Sequence, residues 1–213
     1  DFRLSQMPRS DEERHHDLPV RVSLLSQRAA LHLLTGQHVA AASDLESLLS
    51  LLPSHTLSHR RLAALRAQHG DLAAAAMHYQ RLLELSTSKS EKLTIHRSLA
   101  DLLTESTPEH AIVHLQAALE LGAELRGEGA SAETSDEVEQ RTQLQKRLLG
   151  LQLRRGDRES AGKTIKSLVS ELPPGKELAS LRQQVLLEVA SLYERDLGDR
   201  NAALAEAAAG QLG

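Results

Sequence analysis

The sequence lacks cysteine and tryptophan altogether, and its only aromatic residues are Phe2, Tyr79 and Tyr193. The absence of cysteine excludes thiolate catalysis, cysteine-bound zinc and disulfide scaffolds, and it leaves the redox compartment open. No apolar run approaches the roughly 20 residues that a membrane-spanning helix needs, so we expect no membrane insertion. β-Branched residues are scarce as well, whereas leucine and alanine are abundant. Such a composition favours helices over strands and predicts an all-α protein.

Net charge is also small, because 25 Lys and Arg residues are set against 29 Asp and Glu residues. The excess of acid falls between Gly122 and Arg141, and the two signs balance elsewhere. The chain therefore has no broad basic field of the kind that drives nucleic-acid binding, and we expect no nucleic-acid partner. Residues 122–136 are small, polar, acidic and without helical periodicity, which predicts a flexible insertion. One extra turn of the preceding helix is compatible with its first residues.

A repeated pattern of glycine and alanine runs through most of the chain. At four places alanine follows five residues after a glycine, and Gly36 and Gly70 are 34 residues apart. We expect a helix to end at each glycine, which takes a positive φ at little steric cost, and a second helix to start directly afterwards. Proline then ends the second helix. The residues that define the repeat are Gly36, Ala41, Pro53, Gly70, Ala75, Tyr79, Ala111, Gly156, Ala161, Pro173, Gly198 and Ala203.

Helix pairs of this period, with small residues where the two helices cross, resemble the tetratricopeptide repeat (TPR) family. The clearest unit matches the family at Leu62, Ala63, Gly70, Asp71, Ala75, Tyr79 and Leu82. Most of the family's aromatic positions hold leucine, histidine or arginine here, so the packing is expected to be aliphatic. The resemblance implies an α-solenoid, a right-handed superhelix of antiparallel helix pairs. An irregular helical bundle is the alternative architecture.

The pattern also predicts how the chain is divided. Residues 1–21 form a polar N-terminal extension with a short helix that ends near Pro19. Three helix pairs over 22–121 precede the acidic insertion, and two more pairs occupy 137–213. The last helix is rich in alanine and has no polar capping helix after it, so we expect further chain or a partner beyond it. The chain also begins with aspartate and without a leader, which indicates a processed or excised piece.

Eleven histidines raise the question of a metal site. His110 and His114 are four residues apart on a predicted helix, as are His55 and His59. Such a pair places two imidazoles on one face, but a zinc site needs a third and usually a fourth ligand. Glu109 precedes His110 and therefore does not complete a His-Glu-x-x-His motif. We expect no bound metal and interpret these histidines as solvated or as occupants of aromatic positions.

Signatures of catalysis are missing as well. Gly162-Lys163-Thr164 resembles the end of a phosphate-binding loop, but the earlier glycine of that motif is misplaced and the tripeptide falls inside a predicted helix. No Gly-x-Ser-x-Gly motif is present. The sequence therefore predicts no catalytic residues, no cofactor and no enzymatic activity.

A partner-binding surface is the remaining candidate. The family resemblance implies that the first helix of each pair lines a concave groove that holds a peptide or helix. The basic residues predicted to line it are Arg60, Arg61, Arg97, Lys146, Arg147 and Arg154. The Lys and Asn clamp with which some members bind a C-terminal carboxylate is largely absent here. Guanidinium groups could still bind acidic side chains, whereas the alternative is that these arginines are solvated and paired with nearby glutamates.

These observations favour a noncatalytic scaffold or adaptor that binds an acidic peptide or helix of another protein. The alternative is a ligand-sensing or regulatory module of a larger signalling or transcription protein. A metal-dependent enzyme is a third class, and it would require zinc bound through His110. A homo-oligomer is compatible with the sequence. The sequence does not determine the cellular compartment. The cytoplasm is the default expectation, and a location in a bacterial envelope is also compatible with the sequence.

Overall fold

The computed structural model describes residues 11–128 and 134–171, together with the single positions Gln183, Leu187, Ala190 and Ser191. Every regular element in these residues is an α-helix, which confirms the all-α prediction. The helices are α1 (Asp11–Leu34), α2 (His38–Leu51), α3 (Thr56–Gln68), α4 (Leu72–Leu85), α5 (Lys89–Leu103), α6 (Pro108–Glu128), α7 (Ser135–Arg155) and α8 (Arg158–Ser170). None of the described helices is both long and apolar enough to cross a membrane.

The chain separates into two compact units. The first is Asp1–Ser86 and contains α1 to α4, and the second is Thr87–Gly213 and contains α5 to α8. Within each unit, successive helices pair through short turns: α1 with α2 and α3 with α4 in the first, and α5 with α6 and α7 with α8 in the second.

Three of the four turns within pairs are built on glycine, as the sequence predicts. Gly36, Gly70 and Gly156 have φ values of 72°, 78° and 76°. After Gly156, the amide of Asp157 donates to the carbonyl of Gln152 at 3.0 Å, and this bond closes the end of α7. The Asp157 carboxylate then accepts from the amide of Ser160 at 3.1 Å and caps α8. The turn between α5 and α6 has no glycine, and α6 begins instead at Pro108.

The predicted alanines of the described helices lie in the interior. Ala41, Ala75, Ala111 and Ala161 are all fully buried. Because alanine has no side chain beyond Cβ, the two backbones can approach closely at these points. In the second unit, leucines of α6 and α7 extend this contact into one core of Ala100, Ala111, Ile112, Leu115, Ala118, Leu144, Leu148 and Leu151. The core therefore holds α5, α6 and α7 together.

Two predicted boundaries are wrong. The helix predicted to end near Pro19 continues, because α1 runs from Asp11 to Leu34 with Pro19 inside it. Proline removes one helical hydrogen bond. Pro19 lies on an exposed part of α1, and the helix packs on α2. The predicted insertion 122–136 is also too long, because α6 extends to Glu128 and α7 begins at Ser135.

The extension of α6 has a packing cause. Leu125 faces the space between α5, α6 and α7 and so continues the apolar side of α6 beyond Gly122. The fifth predicted helix pair cannot be compared with the structure in the same way, since Pro173, Gly198 and Ala203 lie outside the described residues.

The glycine turns give a prediction with an internal control. Gly156→Ala should lower the free energy of unfolding by about 1 kcal/mol, because an L residue resists positive φ. No atom lies within 4 Å of the added Cβ, so the cost is conformational and not a clash. Gly150, inside α7, also has nothing within 4 Å of an added Cβ. Gly150→Ala should therefore stabilise the protein by about 0.5–1 kcal/mol. Urea unfolding, followed by circular dichroism, measures both changes in the free energy of unfolding. Two changes of the same sign would contradict the prediction.

Candidate functional site

The second unit contains a cleft of about 210 Å³ between α5, α6 and α7, called here the α5–α7 cleft. Its walls combine leucines with basic side chains. The lining residues are Leu93 and Arg97 of α5, Ala118, Leu119, Gly122, Leu125 and Arg126 of α6, and Glu137, Gln140, Arg141 and Leu144 of α7. Three arginines that are distant in the sequence thus meet around one apolar hollow.

Arg141 is the most buried of these three arginines and is only 8% exposed. Its Nη1 donates to the carboxylate of Glu171, and its Nη2 donates to the Glu171 carbonyl oxygen at 3.1 Å. Arg126 Nη2 lies 3.8 Å from the same carboxylate. Burial alone would raise the pKa of Glu171, but hydrogen bonds from Ser167 and Arg141 and the charges of both arginines lower it below its usual range. Glu171 is therefore ionised and holds Arg141 in place.

The carboxylate of Glu137 is engaged with the start of α7. It accepts hydrogen bonds from the amide of Thr134 at 2.8 Å and from the Thr134 hydroxyl at 2.9 Å. These two bonds lower the pKa of Glu137 below its usual value. They complete a capping box, in which the Thr134 hydroxyl in turn accepts from the amide of Glu137. With Glu137 and Glu171 set against three arginines, the cleft keeps a net positive charge.

Arg97 lies between two different environments. Its Nη1 donates to Gln140 Oε1 at 2.9 Å, which ties α5 to α7. Arg97 also lines a neighbouring cavity of about 230 Å³ together with Asp136 and Glu139. Those carboxylates would repel an acidic ligand, so the part of the α5–α7 cleft that best suits a carboxylate lies towards Arg126.

The predicted groove residues fall into two groups. Arg60 and Arg61 lie on α3 in the first unit, whereas Arg97, Lys146, Arg147 and Arg154 lie in the second. Only Arg97 lines the cleft. A groove shared by Arg60, Arg61 and Arg97 stays a prediction.

Arg147 is a structural residue in the fold. It donates to the carboxylate of Asp101 and, through Nη2, to the hydroxyl of Thr104 at 3.2 Å. Arg147 therefore joins α7 to the end of α5. Arg154 is exposed.

No pattern in the sequence marks Arg126, Arg141 or Glu171 as site residues. Arg126 falls in the predicted acidic insertion, for which at most one extra helical turn was expected. Arg141 and Glu171 are 30 residues apart, and no local pattern links them. A helical stripe that continued through Gly122 to Leu125 was the one signal that could have placed Arg126 beside α7.

The histidines are arranged differently from the predicted pairs on single helices. The ring of His114 contacts that of His96 on the neighbouring helix and does not form the predicted pair with His110. Facing histidine rings occur at His38 and His69, at His59 and His78, and at His96 and His114, with nitrogens 3.2, 3.0 and 2.9 Å apart. His55 caps α3 by accepting from the amide of Ser58. Over the residues that the structure describes, no group of three or more His, Cys, Asp or Glu side chains gathers as a metal site.

Comparisons with known proteins support the fold. No protein-family model matches the chain, and no curated protein matches it. Among solved structures, the chain is similar to BtubC (BKLC) from P. vanneervenii, with a TM-score of 0.53 and 21% identity over 94% of this chain and 83% of that one. Another is pilF of Pseudomonas aeruginosa, with a TM-score of 0.47 and 18% identity over 91% and 78% of the two chains. The likeness to BtubC confirms the all-α, helical-repeat fold class predicted from the sequence, and at this identity it shows the fold alone.

Proposed function

We propose that the chain is a noncatalytic TPR-like module that binds an acidic peptide or helix of another protein in the α5–α7 cleft. The observation that carries this proposal is the meeting of Arg97, Arg126 and Arg141 with four leucines in one hollow. The helical-repeat fold supports it, since such folds offer extended surfaces to partners. The lack of any catalytic motif in the sequence supports the noncatalytic assignment.

The chemistry of the cleft defines what its ligand needs. Leu93, Leu119, Leu125 and Leu144 would take an apolar side chain, and burying one contributes about 1.5–3 kcal/mol. A carboxylate one helical turn away would meet Arg126, whose side chain is 35% exposed and so can reach a ligand. The apolar contact supplies affinity, whereas the arginine supplies the preference for acid. The best ligand is therefore an amphipathic segment with leucine and glutamate four residues apart.

Binding of a labelled peptide tests this proposal. The probe is a synthetic helix-forming peptide with leucine and glutamate at i and i+4, and its counterpart carries glutamine for glutamate. Fluorescence anisotropy with the full chain should show tighter binding of the acidic peptide. Arg126→Gln should weaken that binding about tenfold, which corresponds to the loss of one charge-assisted hydrogen bond of ~1.4 kcal/mol, and should leave the glutamine peptide unaffected.

Lys166→Gln is the matched control. Lys166 is exposed on α8, it does not line the cleft, and its replacement removes the same charge. Equal weakening by Arg126→Gln and Lys166→Gln would mean that the peptide responds to overall charge, and the cleft proposal would fail. Charge reversal at Arg60 and Arg61 in the same assay tests the separate prediction that the first unit contributes to the groove.

A further inference from the structure

Two of the histidine pairs occupy the same position in successive repeats. In each, the first histidine lies four residues before the buried alanine of the first helix, and the second lies three residues after the buried alanine of the next helix. The pairs are His59 with His78 across α3 and α4, and His96 with His114 across α5 and α6. The alanines are Ala63, Ala75, Ala100 and Ala111, all fully buried. The first unit holds one pair and the second unit holds the other.

The contact between the two rings of a pair is a hydrogen bond, so one ring must act as donor and the other as acceptor. In both pairs the two Nδ1 atoms face each other, at 3.0 Å for His59 and His78 and at 2.9 Å for His96 and His114. One Nδ1 must donate and the other must accept, so at least one ring is neutral. His59 Nε2 lies 3.0 Å from the carbonyl oxygen of Pro53, which can only accept. The hydrogen of neutral His59 is therefore on Nε2, and its bare Nδ1 accepts from His78.

Acid removes this arrangement in two steps. A single proton can be accommodated, because the ring that stays neutral can carry its hydrogen on Nε2 and accept through Nδ1. A second proton leaves two Nδ1–H donors facing each other without an acceptor. The pair then changes from a hydrogen bond into a repulsion between two imidazolium rings that are buried or partly buried.

Burial and the surrounding charges together lower the pKa values of three of these histidines. Burial lowers the pKa of His78 most, followed by repulsion from His59 and Arg66, while Glu46 on α2 opposes the shift. In the second pair, burial is again the main cause that lowers the pKa of His96, with Lys92 adding to it. The pKa of His114 is lowered by burial and then by the charges of His96 and His110.

We propose that these two pairs form a histidine latch, an acid-sensitive contact that stabilises the packing of α3 on α4 and of α5 on α6 at neutral pH and weakens it on mild acidification. The latch needs no bound partner, so its test is separate from that of the α5–α7 cleft. Since α5 and α6 supply two walls of that cleft, opening the second pair would also alter the binding surface.

The direction of the pH effect follows from proton linkage. Histidine has an ordinary pKa of 6.5, and the folded-state pKa values of His78, His96 and His114 lie below it. The unfolded chain therefore binds more protons once the pH falls below 6.5, so the stabilisation is complete above that pH and is lost below it. Carboxylates with lowered pKa, such as Glu171, respond only near and below 4.5. The interval from pH 7.5 to pH 5 thus isolates the histidines.

Hydrogen–deuterium exchange of the full chain at pH 7.5 and pH 5.0, with EDTA present, tests the latch. After correction for the intrinsic exchange rate, protection in α3 to α6 should fall about tenfold for each unit by which a folded-state pKa lies below 6.5. His78→Asn and His114→Asn each keep a polar amide near the position of Nδ1 and cannot be protonated. Each variant should reduce the pH response of its own helix pair and leave that of the other intact. A residual response is expected in α5 and α6 of His114→Asn, because burial still lowers the pKa of His96.

The two variants thus serve as controls for each other, and His69→Asn is a third. His69 faces His38 but is exposed, so water hydrates its charge, and its replacement should leave the pH responses of both latch pairs intact. A loss of protection that is as large in the substituted pair as in the unsubstituted chain, or that is absent from the unsubstituted chain, would overturn the proposal.

A measurement on the unsubstituted chain covers the case in which a variant fails to fold. Long-range proton–nitrogen NMR of the imidazoles at pH 7.5 should find the hydrogen of His59 on Nε2 and that of His78 on Nδ1. Two rings that both carry their hydrogen on Nδ1, or both on Nε2, would contradict the hydrogen-bonded pair and with it the latch.

Discussion

Truncation of Leu115 to alanine should lower the free energy of unfolding of the second unit by about 3 kcal/mol. Leu115 is fully buried on α6 and belongs to the core that joins α5, α6 and α7. The substitution removes three carbon atoms from the centre of that core, and the surrounding helices can close the resulting cavity only in part. Urea unfolding at pH 7.5, followed by circular dichroism, measures the change.

Val113→Ala is the control for this substitution. Val113 lies two residues away on the same helix but is 57% exposed. Its truncation should change the free energy of unfolding by no more than about 0.5 kcal/mol. If the two variants were equally stable, α6 would not present Leu115 to the core, and the assignment of the helix faces in the second unit would be wrong.

The repeat could be predicted because its signals are local. Gly36, Gly70 and Gly156 each mark a turn by the conformation of a single residue, and the structure gives all three a positive φ. Alanine five residues later marks the crossing point, because the turn fixes which face of the second helix meets the first. A few neighbouring residues thus determine each helix pair.

The boundaries that were wrong depend on packing between distant residues. Pro19 is a helix breaker by local rules, yet α1 continues through it because its later turns pack on α2. The stretch from Gly122 to Glu128 looks irregular in sequence, yet it is helical because Leu125 faces the hollow beside α7. In both places a tertiary contact outweighs a local preference.

The candidate site was predicted only at Arg97. Its other arginines, Arg126 and Arg141, come from helices whose mutual position no sequence spacing reveals. The histidine latch is different, because its members share fixed distances from the repeat's alanines. The positions of its four histidines therefore follow from the sequence repeat itself.

The ion pair between Arg141 and Glu171 is expected to contribute strongly to the stability of the second unit. Glu171→Gln should lower the free energy of unfolding of the second unit by about 2 kcal/mol. Loss of one partner from a buried pair costs about 3–5 kcal/mol, and Glu171, whose side chain is 35% exposed, warrants a smaller value because water screens it. The substitution removes the negative charge from beside Arg141, which is only 8% exposed. Urea unfolding at pH 7.5 measures the loss.

The pH dependence of this difference distinguishes a charge effect from a packing effect. The pKa of Glu171 is lowered in the folded chain, so its contribution is complete above its ordinary pKa of 4.5 and is lost as the pH falls below that value. The gap between the Glu171→Gln variant and the unsubstituted chain should therefore narrow below pH 4.5. Glu159→Gln is the control, since Glu159 pairs with Lys163 in full contact with solvent and should contribute nothing measurable. A gap that stays constant with pH would mean that Glu171 acts through its shape, and the ionic anchoring of Arg141 would be wrong.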